Sequence, residues 1–325
     1  MPQKIMIDAD PGIGDALAIA AALLDPDIDL IALTAVAGTV TAVQASRNLQ
    51  ALVEALDPAK WPRIGLTDSG QILKELAAAD PDLQGWQQRN RLLNGPEGLG
   101  DWKPRVADLH HPKDAVKVMT ELAKQYPQEI VLLTLGPLTN LALACDRDAD
   151  FLGRLRGVVC LAGTVTTAGD ITPAAESNVH LDPEAARVVL KCPATKTLVP
   201  LDVSQRVMLT FEQFNRLKLN DESRCGHLLS QLISFDLRAH HQHRGVEGIW
   251  LPGLTALASI TRPSLFQGAT MAVDVETDGL LTRGMTVFDR RSSPSWRNNI
   301  DVLQEVDVQG VLDYLFQITL PSIAD

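Results

Sequence analysis

Short apolar runs alternate along the chain with longer segments in which apolar residues recur at helical spacing. Lys4–Asp8, Asp29–Ala37 and Glu129–Leu135 have the length and composition of buried strands. Asp15–Leu24 and Ala42–Leu56 have the spacing of helices that bury one face. This alternation is typical of a largely parallel sheet that is covered by helices on both faces.

The alternation continues into the second half of the chain. Further helices are predicted at Lys113–Tyr126, Leu138–Cys145, Asp182–Leu190 and most of Glu212–His243, and further strands at Gly157–Ala162 and Thr197–Asp202. Asp80–Pro104 is rich in Gly, Pro and Asn, and we predict a surface loop there, over one end of the sheet. Because the sequence has no internal repeat or long linker, we predict one α/β domain spanning residues 1–325.

Polar residues follow several of the predicted strands. Asp8 and Asp10 follow the first strand, Thr39 follows the second, and Gly163 and Thr164 follow a later one. Ligands of open α/β sheets bind at the carboxyl ends of the parallel strands, because these ends meet at one edge of the sheet. The sequence therefore predicts a functional site at the carboxyl edge.

The composition restricts the class of ligand. Hydrophobic residues make up 46% of the 325 residues, and the formal net charge is −11 at pH 7. An acidic surface repels phosphate backbones, so we expect no nucleic-acid polymer as a partner, and a neutral small molecule or a metal cation is compatible with this charge. The longest purely apolar stretch, Ala16–Leu24, is too short to span a bilayer. Since the N-terminus also has no signal-type segment, we predict a cytoplasmic protein without membrane contact.

Three aspartates, Asp8, Asp10 and Asp15, lie between the first strand and the first helix. Crowded carboxylates raise each other's pKa unless a cation or hydrogen bonds compensate, and oxygen ligands suit Ca²⁺ or Mg²⁺. The alternative is structural, with Asp15 as a helix cap and Asp8 as a turn residue. Neither a GxGxxG fingerprint nor a P-loop is present. The Asp-x-Asp pair also occurs in haloacid-dehalogenase-type phosphatases, but no later Gly-Asp-x-x-x-Asp motif supports them.

The pattern Asp-x-Asp-Pro-Gly-x-x-Asp after the first strand resembles the signature of the inosine–uridine-type nucleoside hydrolases. Other matches follow in the same order along most of the chain. They are Ala35-Val36-Ala37-Gly38, Asn94-Gly95-Pro96-Glu97-Gly98-Leu99-Gly100, Leu135-Gly136-Pro137-Leu138-Thr139-Asn140, Thr172-Pro173-Ala174-Ala175-Glu176-Ser177-Asn178 and Asp182-Pro183-Glu184-Ala185-Ala186. This resemblance implies a nucleoside-hydrolase fold, a nucleoside or sugar as the small-molecule partner, and a homodimer or homotetramer.

The resemblance also implies the roles of individual residues. The family hydrolyses the N-glycosidic bond of a nucleoside through an oxocarbenium-like sugar, with a calcium ion that binds the sugar hydroxyls and the attacking water. By similarity Asp10 is both general base and calcium ligand, and Asp15 and the backbone carbonyl of Leu135 are further ligands. Glu176 and Asn178 would hold the outer hydroxyl of the sugar. Asp8 would orient the ligands without contacting the metal.

Two departures from the family pattern remove carboxylates. Gly14 stands where the family has an aspartate that accepts a hydrogen bond from the sugar 2′-hydroxyl. Leu251 stands where the family has the aspartate of a His-Asp-Pro motif, which completes the calcium shell and contacts the 3′-hydroxyl. We therefore predict a weakened calcium site and little discrimination between ribose and 2′-deoxyribose.

Four further departures affect the contacts with substrate. Thr39 replaces an asparagine, and Asp170 replaces another and adds a negative charge. Asn94 and Trp250 replace the histidines that assist departure of the base. Trp250 is either a base-stacking residue, as in purine-specific members, or an ordinary half-buried tryptophan.

Three readings of the function remain open. The leading prediction is an enzyme that hydrolyses an N-glycosidic bond with water activated by Asp10. A catalytically weak homologue that only binds a nucleoside or sugar, and a hydrolase of a different glycoside, are the alternatives. His240, His241 and His243 are either a metal cluster or the end of a surface helix.

Overall fold

The computed structural model describes residues 2–67, 80–104, 113–217, 219 and 223–319. The strands in these ranges are β1 Gln3–Ala9, β2 Ile28–Ala35, β3 Arg63–Leu66, β4 Lys113–Asp114, β5 Ile130–Thr134, β6 Gly157–Leu161, β7 Lys196–Val199, β8 Met208–Thr210, β9 Gly248–Trp250, β10 Phe266–Met271, β11 Val273–Val275, β12 Thr286–Phe288 and β13 Ile300–Val306. The α-helices are α1 Ile13–Leu24, α2 Ala42–Leu56, α3 Pro81–Asn94, α4 Ala115–Gln125, α5 Thr139–Arg147, α6 Ser177–Leu181, α7 Pro183–Lys191, α8 Leu201–Ser204, α9 Phe211–Arg216, α10 Arg224–Arg244, α11 Pro252–Thr261 and α12 Val308–Thr319.

Nine of these strands form one central sheet in the order β10-β13-β7-β6-β5-β1-β2-β3-β4. Every neighbouring pair is parallel except β10 with β13, which is antiparallel and lies at one edge. β1 lies near the middle, between β2 and β5. The predicted α/β fold with a mostly parallel sheet is confirmed.

Helices cover both faces of the sheet, and the alternation of side chains along β1 shows how. Ile5 and Ile7 are fully buried in one apolar cluster, which includes the buried face of α1. Met6, between them, is buried in a second cluster that includes α4. Because successive side chains of a strand point to opposite faces, a strand covered on both sides is apolar throughout.

The segment Asp80–Pro104 corrects a prediction, because most of it is helix α3 rather than loop. The Asp80 carboxylate accepts hydrogen bonds from the amides of Asp82 and Leu83, and Pro81 occupies the first turn. These are the features of a helix N-terminus. Only Leu83, Trp86 and Leu93 of α3 are buried, so the polar majority obscured the helical spacing.

Smaller corrections concern the ends of elements. The strand predicted at Thr197–Asp202 ends at Val199, and Leu201 begins the short helix α8 because Pro200 cannot continue the strand ladder. The helical region Glu212–His243 is divided into α9 and α10. None of the helices in the described ranges has the length and apolarity needed to cross a bilayer.

Candidate active site

The carboxylate of Asp10 lies at the carboxyl end of β1, in a space that two glycines leave open. A Cβ atom at Gly136 would lie 2.5 Å from Asp10 Oδ1, and one at Gly38 would overlap Oδ2. The amide of Thr39 donates a hydrogen bond to Oδ2. Asp10 is 3% exposed, and this burial raises its pKa to about 6 against the opposing effect of the Thr39 amide. Burial therefore favours the protonated form of the Asp10 carboxyl, and its contacts with the two glycines and the Thr39 amide fix its position.

Asp15 lies in the first turn of α1, beside Asp10. Burial, and then the charge of Asp10, raise the pKa of the Asp15 carboxyl well above its usual value. Within the described residues, no side chain or amide donates a hydrogen bond to this carboxylate, and α1 has no side-chain cap from its own N-terminal residue Gly12. The structural alternative for Asp15, a helix cap, is therefore wrong.

The amide that begins α1 is capped instead by a residue far away in the sequence. Asn94 Oδ1 accepts a hydrogen bond from the Ile13 amide at 2.8 Å, and Asn94 Nδ2 donates to Asn90 Oδ1 at 3.1 Å. Asn90 Nδ2 in turn lies 3.4 Å from Thr39 Oγ1. Asn94, predicted as a substrate-binding residue, thus joins the end of α3 to the start of α1.

Asp8 lies one pleat before Asp10 and is fully buried. Its Oδ1 accepts hydrogen bonds from Thr34 Oγ1 at 2.6 Å and from Asn140 Nδ2 at 2.8 Å. Burial is the main cause that raises its pKa to about 7. Since Asn140 Nδ2 also donates to the Ala35 carbonyl, Asp8 ties β1 to β2 and α5. These contacts position the loop that follows β1, and Asp8 is no turn residue.

Two carboxylates and one carbonyl belong to residues that line the pocket at the end of the sheet. The contact of Gly136 with Asp10 Oδ1 places the preceding carbonyl, that of Leu135, within about 7 Å of the Asp10 carboxylate by standard bond lengths. Asp10, Asp15 and Leu135 line the same pocket. Leu251 is 1% exposed and belongs to an apolar cluster, and the described residues include no group of three or more His, Cys, Asp or Glu side chains that could hold a metal. These residues fit a calcium ion with fewer protein ligands than the family pattern has.

Glu176 and Asp170 form the side of the site that follows β6. The carboxylate of Glu176 accepts hydrogen bonds from the amides of Gly163, Asn178 and Val179, and so begins helix α6. Burial and the neighbouring Asp170 raise its pKa. Asp170 accepts from the amide and the hydroxyl of Ser177 at 2.7 and 3.0 Å. Both carboxylates are oriented by the backbone, with little freedom to move.

Asn178 connects this side to the strands. Its Nδ2 donates to the carbonyls of Leu135 at 2.8 Å and Leu161 at 2.9 Å, at the ends of β5 and β6. Both protons of the amide group are therefore used within the protein, and its Oδ1 is the atom left to face a ligand.

These residues enclose one pocket with a volume of about 200 Å³. Seven predicted site residues line it, namely Asp10, Asp15, Thr39, Leu135, Asp170, Glu176 and Asn178. Asp8, Asn94 and Trp250 do not. Trp250 packs edge-on against His240, with ring centroids 5.7 Å apart, and carries the guanidinium of Arg244 at 5.5 Å. Its predicted stacking on a base stays a prediction.

Several residues of the pocket wall were not predicted as site residues, and among them are one tryptophan, two arginines and one asparagine. Trp86, Arg89 and Asn90 come from α3, in the segment predicted to be a loop, and Arg244 is the last residue of α10. The capping signal Asp80-Pro81 was the available sign that this segment is helical. No sequence signal places the end of α10 against the pocket.

The three histidines near the end of α10 do not form a metal cluster within the described residues. His240 Nδ1 lies 2.8 Å from Asp236 Oδ1, and His241 Nδ1 lies 2.9 Å from Glu247 Oε1. His241 and His243 are exposed at the end of the helix, as the alternative interpretation expected, whereas His240 is buried against Trp250.

The chain matches the family model described as inosine-uridine preferring nucleoside hydrolase over residues 5–313. It is 33% identical to uridine nucleosidase 1 of Arabidopsis thaliana over 321 residues, 96% of this chain and 92% of the relative. The chain belongs to the inosine–uridine preferring nucleoside hydrolase family. The resemblance drawn from the Asp8–Asp15 motif is thereby confirmed.

Two further nucleoside hydrolases are similar to this family member over nearly its whole length. The pyrimidine-specific ribonucleoside hydrolase RihA of Escherichia coli O9:H4 (strain HS) is 30% identical, with 97% of both chains covered. A solved plant nucleoside hydrolase, PpNRh1, superimposes with a TM-score of 0.86 at 30% identity, covering 99% of this chain and 100% of its own. The predicted fold and the predicted class, N-glycosyl hydrolase, are confirmed at the level of the family.

Proposed function

We propose that this protein hydrolyses the N-glycosidic bond of a pyrimidine nucleoside, with Asp10 as the general base. The observation that carries the proposal is the buried Asp10 carboxylate, which lines the pocket and is held by the Thr39 amide. Burial raises its pKa to about 6 without a cation, and a bound cation would lower this pKa and leave the ionised form that accepts a proton. The names of the relatives from Arabidopsis thaliana and Escherichia coli support a pyrimidine as the base, so uridine is the first substrate to test.

The pocket residues suit the steps of this reaction. Asp10, held by the Thr39 amide and the gap between Gly38 and Gly136, would accept the proton of the attacking water. Asp170 and Asn178 would bind the sugar hydroxyls with the carboxylate and amide oxygens that face the pocket. Trp86 would cover the substrate with an aromatic face, since it is the large aromatic residue among the described pocket residues.

We propose calcium as the cofactor, held by Asp10, Asp15 and the Leu135 carbonyl. Hard oxygen ligands and the raised pKa of Asp15, which no donor relieves in the described part of the chain, support a cation there. When bound, calcium would lower the pKa of a coordinated water. The Asp10 and Asp15 carboxylates would both ionise in its presence, because a cation favours their charged forms.

A single substitution tests the base. Asp10→Asn keeps the size and hydrogen-bonding shape of the side chain but cannot take up a proton. We expect kcat for uridine to fall by about 10²–10⁴. Asp25→Asn is the matched control, because Asp25 is equally buried but binds Tyr314 away from the pocket. An Asp10→Asn protein that retains most of its kcat would refute the role of Asp10.

Calorimetric titration with calcium tests the cofactor. Asp15→Asn should weaken binding, and Leu251→Asp should strengthen it by returning the carboxylate that the family has at this position. Gly253, two residues along, lies near Asp15 Oδ1, which places the start of α11 beside the proposed ligands. If Leu251→Asp binds calcium no more tightly than the natural protein, the Leu251 side chain does not face the metal.

A protein that binds nucleosides without hydrolysing them is the second candidate. The burial of Leu251 in an apolar cluster favours it, because one proposed ligand is lost. Saturable uridine binding without turnover, with calcium present, would establish this alternative. A homodimer or homotetramer, a single domain over residues 1–325 and a cytoplasmic location stay predictions.

A further inference from the structure

Two arginines from different helices line the pocket. Arg89 projects from α3 and Arg244 from the last turn of α10, and both line the pocket. They are the cations among its described lining residues, which also include the carboxylates of Asp10, Asp15, Asp170 and Glu176. Desolvation is the main cause that lowers the pKa of Arg244, and the charge of Arg89 adds to it, so the two guanidinium groups are within electrostatic reach of each other. We call this pair the arginine rim.

The positive charge of the arginine rim is only partly balanced within the described part of the protein. Neither Arg89 nor Arg244 forms a salt bridge there. Asp170 and Asp236 attract Arg244, but Asp170 is hydrogen-bonded to Ser177 and Asp236 is paired with His240. The guanidinium of Arg244 lies over the Trp250 ring, a contact that orients its planar group without using its N–H donors.

Two neighbouring arginines repel each other, and an anionic ligand could remove this unfavourable interaction. Two like charges that face one pocket repel each other, and an anion between them turns the repulsion into two attractions. A guanidinium matches a carboxylate or phosphate with two parallel hydrogen bonds, whereas a neutral nucleoside offers no such group. The proposed sugar and cation sites use the carboxylates of the pocket, which leaves the two guanidinium groups as its cationic donors for an anion.

We propose that the arginine rim binds an anionic group, a carboxylate or a phosphate, on the nucleoside that this protein takes. The proposal rests on the proposed function, because it assigns the charge of that same substrate. The shared chemistry has two possible sources. A carboxylate can be carried by the base, as in orotidine, and a phosphate by the sugar, as in uridine 5′-monophosphate.

Calorimetry with uridine, orotidine and uridine 5′-monophosphate tests the proposal, in an Asp10→Asn background that prevents turnover. We expect one of the anionic ligands to bind more tightly than uridine, by about tenfold for each arginine engaged. The preference should shrink in Arg89→Gln and Arg244→Gln, disappear in the double variant, and weaken with added salt. Arg91→Gln and Arg238→Gln are matched controls, because these exposed arginines lie on the same two helices but do not line the pocket.

The ligand that binds more tightly shows which part of the substrate the arginine rim contacts. Tighter binding of orotidine would place the arginine rim beside the base, and tighter binding of uridine 5′-monophosphate would place it beside the sugar phosphate. Equal or tighter binding of uridine would overturn the proposal, as would an equal loss of uridine and anion affinity in the double variant. Hydrolysis assays on the unsubstituted protein distinguish failure of the anion-binding proposal from failure of the proposed hydrolytic function. Turnover of uridine without any preference for an anion refutes only the arginine rim, whereas selective binding of an anion without turnover of any of the three refutes the proposed function alone.

Discussion

The floor of the pocket and its rim are built from different parts of the fold. The floor consists of strand ends and the turns that follow them, where Asp10 and Leu135 are buried and hydrogen bonds or close contacts fix each group. The rim consists of one face of α3 and the end of α10, where Arg89 and Arg244 are exposed. Groups that are buried among strands lose little further freedom on binding, whereas exposed arginines must be ordered by the ligand.

This difference separates two tasks. A reacting group has to be held to within about 1 Å, which the crowded floor provides. A residue that selects the substrate needs only to reach it, and it can change without disturbing the sheet. The Asp8–Asp15 motif, which carries much of the family resemblance, lies at the floor, whereas Arg89 and Arg244 lie on helices at the rim.

Gly38→Ala tests whether the close packing around Asp10 at the floor is needed for activity, and it has the largest expected effect. The added methyl group would overlap the Asp10 carboxylate and displace it, so kcat for uridine should fall by about a hundredfold or more. Gly153→Ala is the control, because nothing lies within 4 Å of the position of its Cβ. Steady-state kinetics and circular dichroism on both variants measure the effect. Activity within threefold of the control would show that the floor is more pliable than its packing indicates.

Asp202→Asn examines the turn that follows β6, next to the floor. The Asp202 carboxylate accepts hydrogen bonds from the amides of Val165, Thr166 and Thr167, which lowers its pKa to about 2. We expect the substitution to reduce the free energy of unfolding by about 2 kcal/mol at pH 7. Because the folded-state pKa lies below the usual 3.8, this contribution is present above pH 4 and is lost as the pH falls towards 2.

Urea denaturation of this variant and of Asp146→Asn, an exposed control on α5, should be compared at pH 7 and pH 3. The difference between Asp202→Asn and the unsubstituted protein should shrink at the lower pH. A difference that is constant with pH would mean that the ionised carboxylate is not what holds residues 165–167.

Asn94→Ala tests the connection between rim and floor. It removes the acceptor of the Ile13 amide, which should lower the free energy of unfolding by about 1 kcal/mol, the usual value of a helix cap. Gln88→Ala, at an exposed position of the same helix, should have less effect. Chemical denaturation measures both. Equal stabilities would show that the two regions are independent.

Sugar selectivity is the smallest expected effect. Gly14 and Leu251 leave the floor without two carboxylates that would read the sugar hydroxyls, so we expect kcat/KM for uridine to exceed that for 2′-deoxyuridine by less than about fivefold. A site that reads a hydroxyl would separate the two by about 10⁴-fold. A ratio of that size would mean that other pocket residues, such as Asp170, bind the 2′-hydroxyl.

The sequence predicts the floor better than the rim for physical reasons. The order of strands and helices is encoded in local spacing, and a polar residue after a strand must lie at the carboxyl edge, so the sequence places Asp10 and Thr39 there. The family resemblance adds Leu135, and all three residues line one pocket. Helix α3 was missed because its buried face has three residues only. The position of Arg244 depends on how α10 packs against distant parts of the chain, which no local pattern reveals.

The cap of α1 also orders the events by which the chain acquires its structure. The Ile13 amide donates its hydrogen bond to Asn94, which lies 81 residues further along the sequence. During synthesis, the hydrogen bond to the Ile13 amide therefore cannot form until the polypeptide has been extended through α3. Domains form as cooperative units, and contacts of large sequence separation arise late because they close long loops. The N-terminus of α1, which follows the turn that carries the proposed base, is thus completed by a residue from beyond the first two strands of the sheet.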